Sequence, residues 1–309
     1  MPDPKRRLTD DALDIFRAGI EAVKPERLVR TALILDGDRL WVKDLRINLR
    51  DYRKIVVLGT GKVTARMARE LEEILGDRIT AGTVTVRRGE SVACRRIRVF
   101  EAGHPIPDEG TLEGTRKVLE LADSVRSTDL VLCLLSGGGS TLLEAIPEGL
   151  TLSDLQETSR QLLASGATIH EINIVRRHLS LVKGGQLARR FAPARCITLV
   201  ISDVPGDLLE SVASGPTAPD PFTFTIARKV IQSYGLEGTL PRAVVRYIEE
   251  GIEGKHPETV KRGDPDLHNV THLVIGNNGR ALEGAAARAG ELGYHAEIRS
   301  RTMHGEARM

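Results

Sequence analysis

Short, continuous apolar runs separated by longer amphipathic stretches constrain this chain more than any other feature. IVVLG (55–59), LVLCLLS (130–136), CITLVISD (196–203) and LVIG (273–276) show almost no polar alternation. Runs of that kind read as strands buried on both faces. GTVTV (82–86) and RIRVFEA (96–102) read as further strands. Helical spacing appears at 9–35, where Leu13, Phe16, Ile20 and Val23 recur, Thr9 offers a cap and Pro25 divides the stretch into two helices. It returns at 62–75, at 111–125, over most of 151–191 with breaks near Gly166 and Gly184-Gly185, and at 223–234 and 241–250. A last β-α-β unit combines LVIG, the helix 280–293 and HAEI (295–298). The alternation predicts an α/β fold with a mostly parallel sheet covered by helices on both faces.

The 309 residues allow one large domain or two ordinary ones. The stretch 251–266 is rich in Gly, Lys, Pro and Asp and reads as a linker. The expected organisation is therefore a main domain over 1–250, the linker, and the start of a second, smaller α/β domain over 267–309. A lone β-α-β unit does not bury both its faces. The tail RTMHGEARM reads as a segment still in progress, so the second domain is expected to be incomplete.

Charge excludes one broad class. Lys plus Arg is 44 and Asp plus Glu is 42, a formal net charge of +2. A general nucleic-acid binder, which relies on neutralising phosphates, is not expected. The basic runs Lys5-Arg6-Arg7 and Arg87-Arg88 read as solvated faces. Cys94, Cys133 and Cys196 form no close pair and sit in or beside apolar runs, as buried small hydrophobes do. The N-terminus is polar, and the apolar runs fall short of the roughly 20 residues that span a bilayer. The expectation is a cytoplasmic protein without membrane or nucleic-acid partners.

In open α/β sheets, ligands bind outside the carboxyl ends of the strands. Four strands here end in GTGK, SGGGS, SDVPGD and GNN. In GTGKV, Gly59 and Gly61 let backbone N–H groups approach a phosphate, and Lys62 supplies an ammonium. A dinucleotide fingerprint needs glycine where Thr64 stands, and a Walker A loop needs Ser or Thr where Val63 stands. Ser136, Gly137, Gly138, Gly139 and Ser140 form a turn that costs folding entropy, and a nest of N–H donors for an anion explains it better than packing does. The run is not a nucleophile elbow, because Leu142 stands where glycine is required.

Asp203 and Asp207 flank a Pro-Gly turn, as Mg²⁺ ligands, as acceptors of an alcohol proton, or as caps of an Asx-type turn. SGPT (214–217) follows closely. The stretch 173–185 places Asn173, Arg177, Ser180 and Gly184 at near-helical steps, with Arg176 and Lys183 seven apart. His104 is either a general base or part of a rigid loop set by Pro105 and Pro107. Glycine turns, one Lys and two Asp at one sheet edge make up the inventory for phosphoryl transfer.

The series GTGK, EAGHPIPDEG, LLSGGGSTLL, NIVRRHLSLVKGGQLA, ISDVPGD with SGPT, and GNNGRALEGAAARA resembles the glycerate 2-kinases of the MOFRL-containing family over nearly the whole chain. The resemblance implies a Rossmann-like N-terminal domain, a smaller C-terminal domain and an active site between them. It implies ATP-dependent phosphorylation of D-glycerate to 2-phosphoglycerate with Mg²⁺, and it leaves a homodimer open. Carried over by residue, Lys62 and Asp203 match the family's cleft lysine and aspartate, and the SGGGS loop matches its phosphate- or substrate-binding loop. His104, Arg177 and Lys183 join them as binding candidates and Asp207 as a metal candidate. Leu208 stands where a second Asp is frequent. Family members continue with a segment resembling GKGGRNQE, which this chain lacks. The alternatives are a binding module without catalysis and a hydroxypyruvate reductase, the latter opposed by the missing dinucleotide fingerprint.

Overall fold

The structure, a computed structural model, describes residues 4–303, with side chains from Leu8 onward. The rest of the tail and the side chains of Lys5, Arg6 and Arg7 lie outside the described residues. Helices α1 (Pro4–Ala22) and α2 (Pro25–Ala32) lead into a small antiparallel sheet of β1 (Leu33–Asp36), β2 (Arg39–Val42) and β3 (Leu45–Asn48). The main body follows with β4 (Ile55–Thr60), α3 (Thr64–Leu75), β5 (Ile79–Arg87), β6 (Ile97–Ala102), α4 (Glu109–Asp123), β7 (Leu130–Ser136) and the short α5 (Gly139–Leu142). Helices α6 (Leu152–Ala164), α7 (Ile169–His178) and α8 (Gln186–Phe191) precede β8 (Arg195–Ile201). Helices α9 (Phe224–Ser233) and α10 (Arg242–Ile252), then β9 (Val270–Gly276) and α11 (Asn278–Glu291), complete it.

The main sheet has six parallel strands in the order β6-β5-β4-β7-β8-β9. Counted within the sheet, this is 3-2-1-4-5-6, the doubly wound order of dinucleotide-binding folds. Alternate residues of the central strands feed two separate cores. Val57, Leu132 and Ile197 pack with α2 and α3 on one face, and Leu58, Cys133 and Val200 pack with α4 and α8 on the other. This is why those strands carry no polar alternation. A third cluster joins α6, α7, α9 and α10 through Leu162, Val175, Phe224 and Ile248. Capping boxes at Asp108, Thr151 and Thr168 start α4, α6 and α7. Each contributes about 1 kcal/mol.

Four expectations change. The boundary near 267 is not a break: β9 runs parallel to β8 as the sixth strand of the same sheet. A unit too small to bury itself has added to an existing sheet. The stretch 251–266 is not a free linker either, since Thr259 and Val260 are buried and Val260 bonds through its backbone to Gly184 and Asp220. Residues 295–298 form no strand. Thr9 is interior to α1, not its cap. Leu13, Phe16 and Ile20 do share a helix, but they face outward, and α1 instead packs on α11 through Gly19 and Gly284. Among the described residues, no helix is long and apolar enough to cross a membrane.

Candidate active site

The strand order reverses between β4 and β7, and the turns after these two strands meet there. Gly61 has φ +135°, and a Cβ on it would lie 2.1 Å from Ser136 Oγ. Lys62 N–H donates to Gly137 O at 2.9 Å. Ser136 Oγ accepts from Val63 N–H at 3.3 Å and lies 3.0 Å from Thr64 Oγ1. The hydroxyl of Ser136 is therefore buried and joins the two turns. Gly59 likewise serves packing, with a Cβ position 2.6 Å from Leu134 O.

Chemistry-bearing side chains gather over the next glycines. A Cβ on Gly137 would sit 2.0 Å from Asp203 Oδ2. A Cβ on Gly138, which has φ +85°, would sit 2.8 Å from Lys62 Cε and 3.1 Å from His104 Nε2. Lys62, His104 and Asp203 thus converge on a turn that only missing side chains leave open. Gly139 is tight against Ala213 and Thr60 and allows the turn to pack on the strand. Ser140 Oγ lies 2.7 Å from Ser214 Oγ, and Ala213, Ser214 and Gly215 all take positive φ. Such left-handed non-glycine residues cost of order 1 kcal/mol each and cluster at functional sites. Burial, then the charges of Lys62, Arg87 and Arg176, hold His104 below the usual histidine pKa, with Asp203 opposing them.

Asp203 is exposed, and among the described residues nothing hydrogen-bonds or ion-pairs with its carboxylate. It also lines an open cavity of about 730 Å³ with Pro205, Asp207, Asn277 and Gly279. That size suits a nucleotide-sized ligand. Asp207 has φ +54°, and its Oδ2 accepts from Asn277 Nδ2 at 2.6 Å. Among the described residues no group of three or more His, Cys, Asp or Glu is placed to hold a metal ion.

The chain resembles characterised proteins along most of its length. Residues 11–249 match a family model described as a domain of unknown function (DUF4147). A glycerate 2-kinase of Pyrococcus horikoshii is 40% identical over 96% of this chain and 67% of its own length. The chain belongs to the glycerate 2-kinase family. A second family member, the D-glycerate 2-kinase of Thermotoga maritima, is 41% identical over 96% of this chain and 65% of its own length. A crystal structure of a Pyrococcus horikoshii protein superposes with a TM-score of 0.83 at 39% identity, covering 93% of this chain and 64% of the other. The chain therefore spans about two thirds of the length of the relatives it matches.

Two expected binding residues point away from the site. Arg177 is fully buried, with Nε 3.3 Å from Asp220 and Nη1 donating to Glu210 O at 2.7 Å. Lys183 is also buried, donating to Leu143 O at 3.0 Å and pairing with Glu144 at 2.5 Å. Burial outweighs that carboxylate and draws the Lys183 pKa down to about 8. Both cations are engaged by buried acceptors around α7 and its C-terminal loop. The residue that does face the site from α7 is Arg176, whose Nη2 donates to Ser140 O at 3.2 Å. Ser214 and Asn277 also stand at the site, in the loops that SGPT and GNN mark in the sequence.

Proposed function

We propose that this chain carries the phosphoryl-transfer site of a glycerate 2-kinase. The reaction is transfer of the γ-phosphoryl group of ATP to the 2-hydroxyl of D-glycerate, giving ADP and 2-phosphoglycerate. The observation that carries the reading is the convergence of Lys62, His104 and Asp203 on the Gly137–Gly138 turn at the switch point of the sheet. Positioning and charge stabilisation are what phosphoryl transfer needs from a protein. Lys62 offsets charge on the transferring group. Asp203 orients the 2-hydroxyl and accepts its proton as the new O–P bond forms and the bond to ADP breaks. Turn N–H groups near Gly138 and Ser140 supply further donors.

Asp207 lines the same cavity as Asp203 and would hold Mg²⁺. Mg²⁺ commonly takes one or two carboxylates and completes its shell with water and substrate phosphates, so a site with one protein carboxylate fits it. The ion would supply positive charge to the phosphate oxygens. The cavity beside Asp203 would take the nucleotide.

The test is ADP release by the 309-residue chain with ATP, Mg²⁺ and D-glycerate. Glycerate-dependent release, lost in Lys62→Met, supports the reading. Binding of both glycerate and ATP without turnover makes the chain a binding module. Failure to bind D-glycerate refutes the proposal.

A further inference from the structure

We infer that Arg176 recognises the carboxylate of the acceptor and so selects a hydroxy acid over a neutral polyol. This rests on the glycerate 2-kinase reading and names a specificity residue within that same site. A guanidinium has five N–H donors. Among the described residues, Arg176 makes one hydrogen bond, to Ser140 O, and has no carboxylate within 4.0 Å. Glu144 is the acid whose charge it feels, and Glu144 is already paired with Lys183. Arg176 is thus a half-buried cation with no carboxylate of its own within ion-pair distance, and its free N–H donors can take an anion.

Its direction is defined by its neighbours. Arg176 reaches Ser140 O, two residues beyond Gly138, the glycine over which Lys62 and His104 gather, so guanidinium, ammonium and imidazole all border one turn. Behind Arg176, a void of about 10 Å³ between Pro107, Leu155, Thr158 and Leu179 has room for barely one water. That void is too small for a carboxylate, and the contact that defines the direction of Arg176 is the one to Ser140 O. In a 2-hydroxy acid the carboxylate is bonded to the carbon that bears the reacting hydroxyl. Its partner must stand beside Asp203 and Lys62, and Arg176 flanks the same glycine turn at Ser140. The planar fork of arginine matches a carboxylate in bidentate fashion, as lysine does not.

A phosphate would satisfy the same donors, so the test separates the two anions. Binding of D-glycerate, of its uncharged amide glyceramide, and of ATP is measured by calorimetry on the 309-residue chain and its variants. Arg176→Gln is expected to weaken D-glycerate roughly ten- to hundredfold, the loss of a charge-assisted bond, and to leave glyceramide and ATP unchanged. Arg176→Lys keeps the charge and the aliphatic stem, guards against misfolding, and is expected to fall between the two. The inference is overturned if Arg176→Gln binds D-glycerate as the unmodified chain does, or if it loses ATP instead. Failure of the unmodified chain to bind D-glycerate overturns the underlying reading as well, which distinguishes the two failures.

Discussion

Adding one methyl group at Gly137 tests the site by displacing Asp203 without replacing any group that acts there. In Gly137→Ala, the new Cβ would stand 2.0 Å from Oδ2 and 2.4 Å from Cγ of Asp203. Ordinary contact begins near 3.4 Å, so the carboxylate must retreat by about 1.4 Å. Asp203 is exposed and unpaired among the described residues, so it rotates away at a cost of about 0.5–1.5 kcal/mol. Folding survives, but a misplacement of that size costs on the order of a hundredfold in rate. The control is Gly61→Ala, where the same methyl would meet the Ser136 carbonyl oxygen at 2.5 Å in a residue with φ +135°. Backbone cannot swing aside, and that variant should lose about 2–6 kcal/mol of stability. Urea melts and ADP-release rates of both variants, in whichever form of the enzyme turns over, measure the contrast. Full activity in Gly137→Ala, or equal destabilisation of the two variants, would refute the reasoning.

Three further outcomes follow from the same geometry. The folded state holds the His104 pKa below its ordinary value of 6.5, so the unfolded chain binds the proton first and stability falls as pH drops below 6.5. Melting temperatures between pH 7 and pH 5 should therefore decline less in His104→Gln than in the unmodified chain. Lys183→Met leaves the buried Glu144 carboxylate unpaired and should cost about 3–5 kcal/mol, with much of it recovered in the double variant Lys183→Met/Glu144→Gln. The Glu258 carboxylate is raised by burial but lowered further by His178, the Phe224 N–H and Lys261, reaching about 2. Its contribution is present above pH 4.5 and is lost as pH falls toward 2, so Glu258→Gln should flatten the acid limb of the melting curve.

The parts of this molecule that were readable from sequence share a physical reason. Buried parallel strands leave apolar runs, and LVLCLLS and IVVLG became β7 and β4 at the centre of the sheet. Gly61, Gly137 and Gly138 do lie where the turns meet, but the close approaches they permit are to Ser136, Asp203 and Lys62, whereas the sequence pattern points to an anion. The misreadings have reasons too. On α7, residues 172–175, 177 and 178 are buried, so helical periodicity could not tell that Arg176, and not Arg177, faces the glycine turn. Lys183 follows the end of that helix, so a seven-residue spacing from Arg176 had no helical meaning. The small sheet β1–β3 was missed because its strands have four residues each and adjoin a helical pattern. β9 and α11 are too small to bury their own faces, and β9 joins the main sheet as its sixth strand.

The most direct test is to identify the product. Phosphorus and proton NMR of a reaction containing the 309-residue chain, ATP, Mg²⁺ and D-glycerate reports which oxygen carries the new phosphate. The account predicts 2-phosphoglycerate with equimolar ADP, and neither product from Asp203→Asn. A phosphate on the 3-hydroxyl, or undiminished turnover by Asp203→Asn, would contradict it.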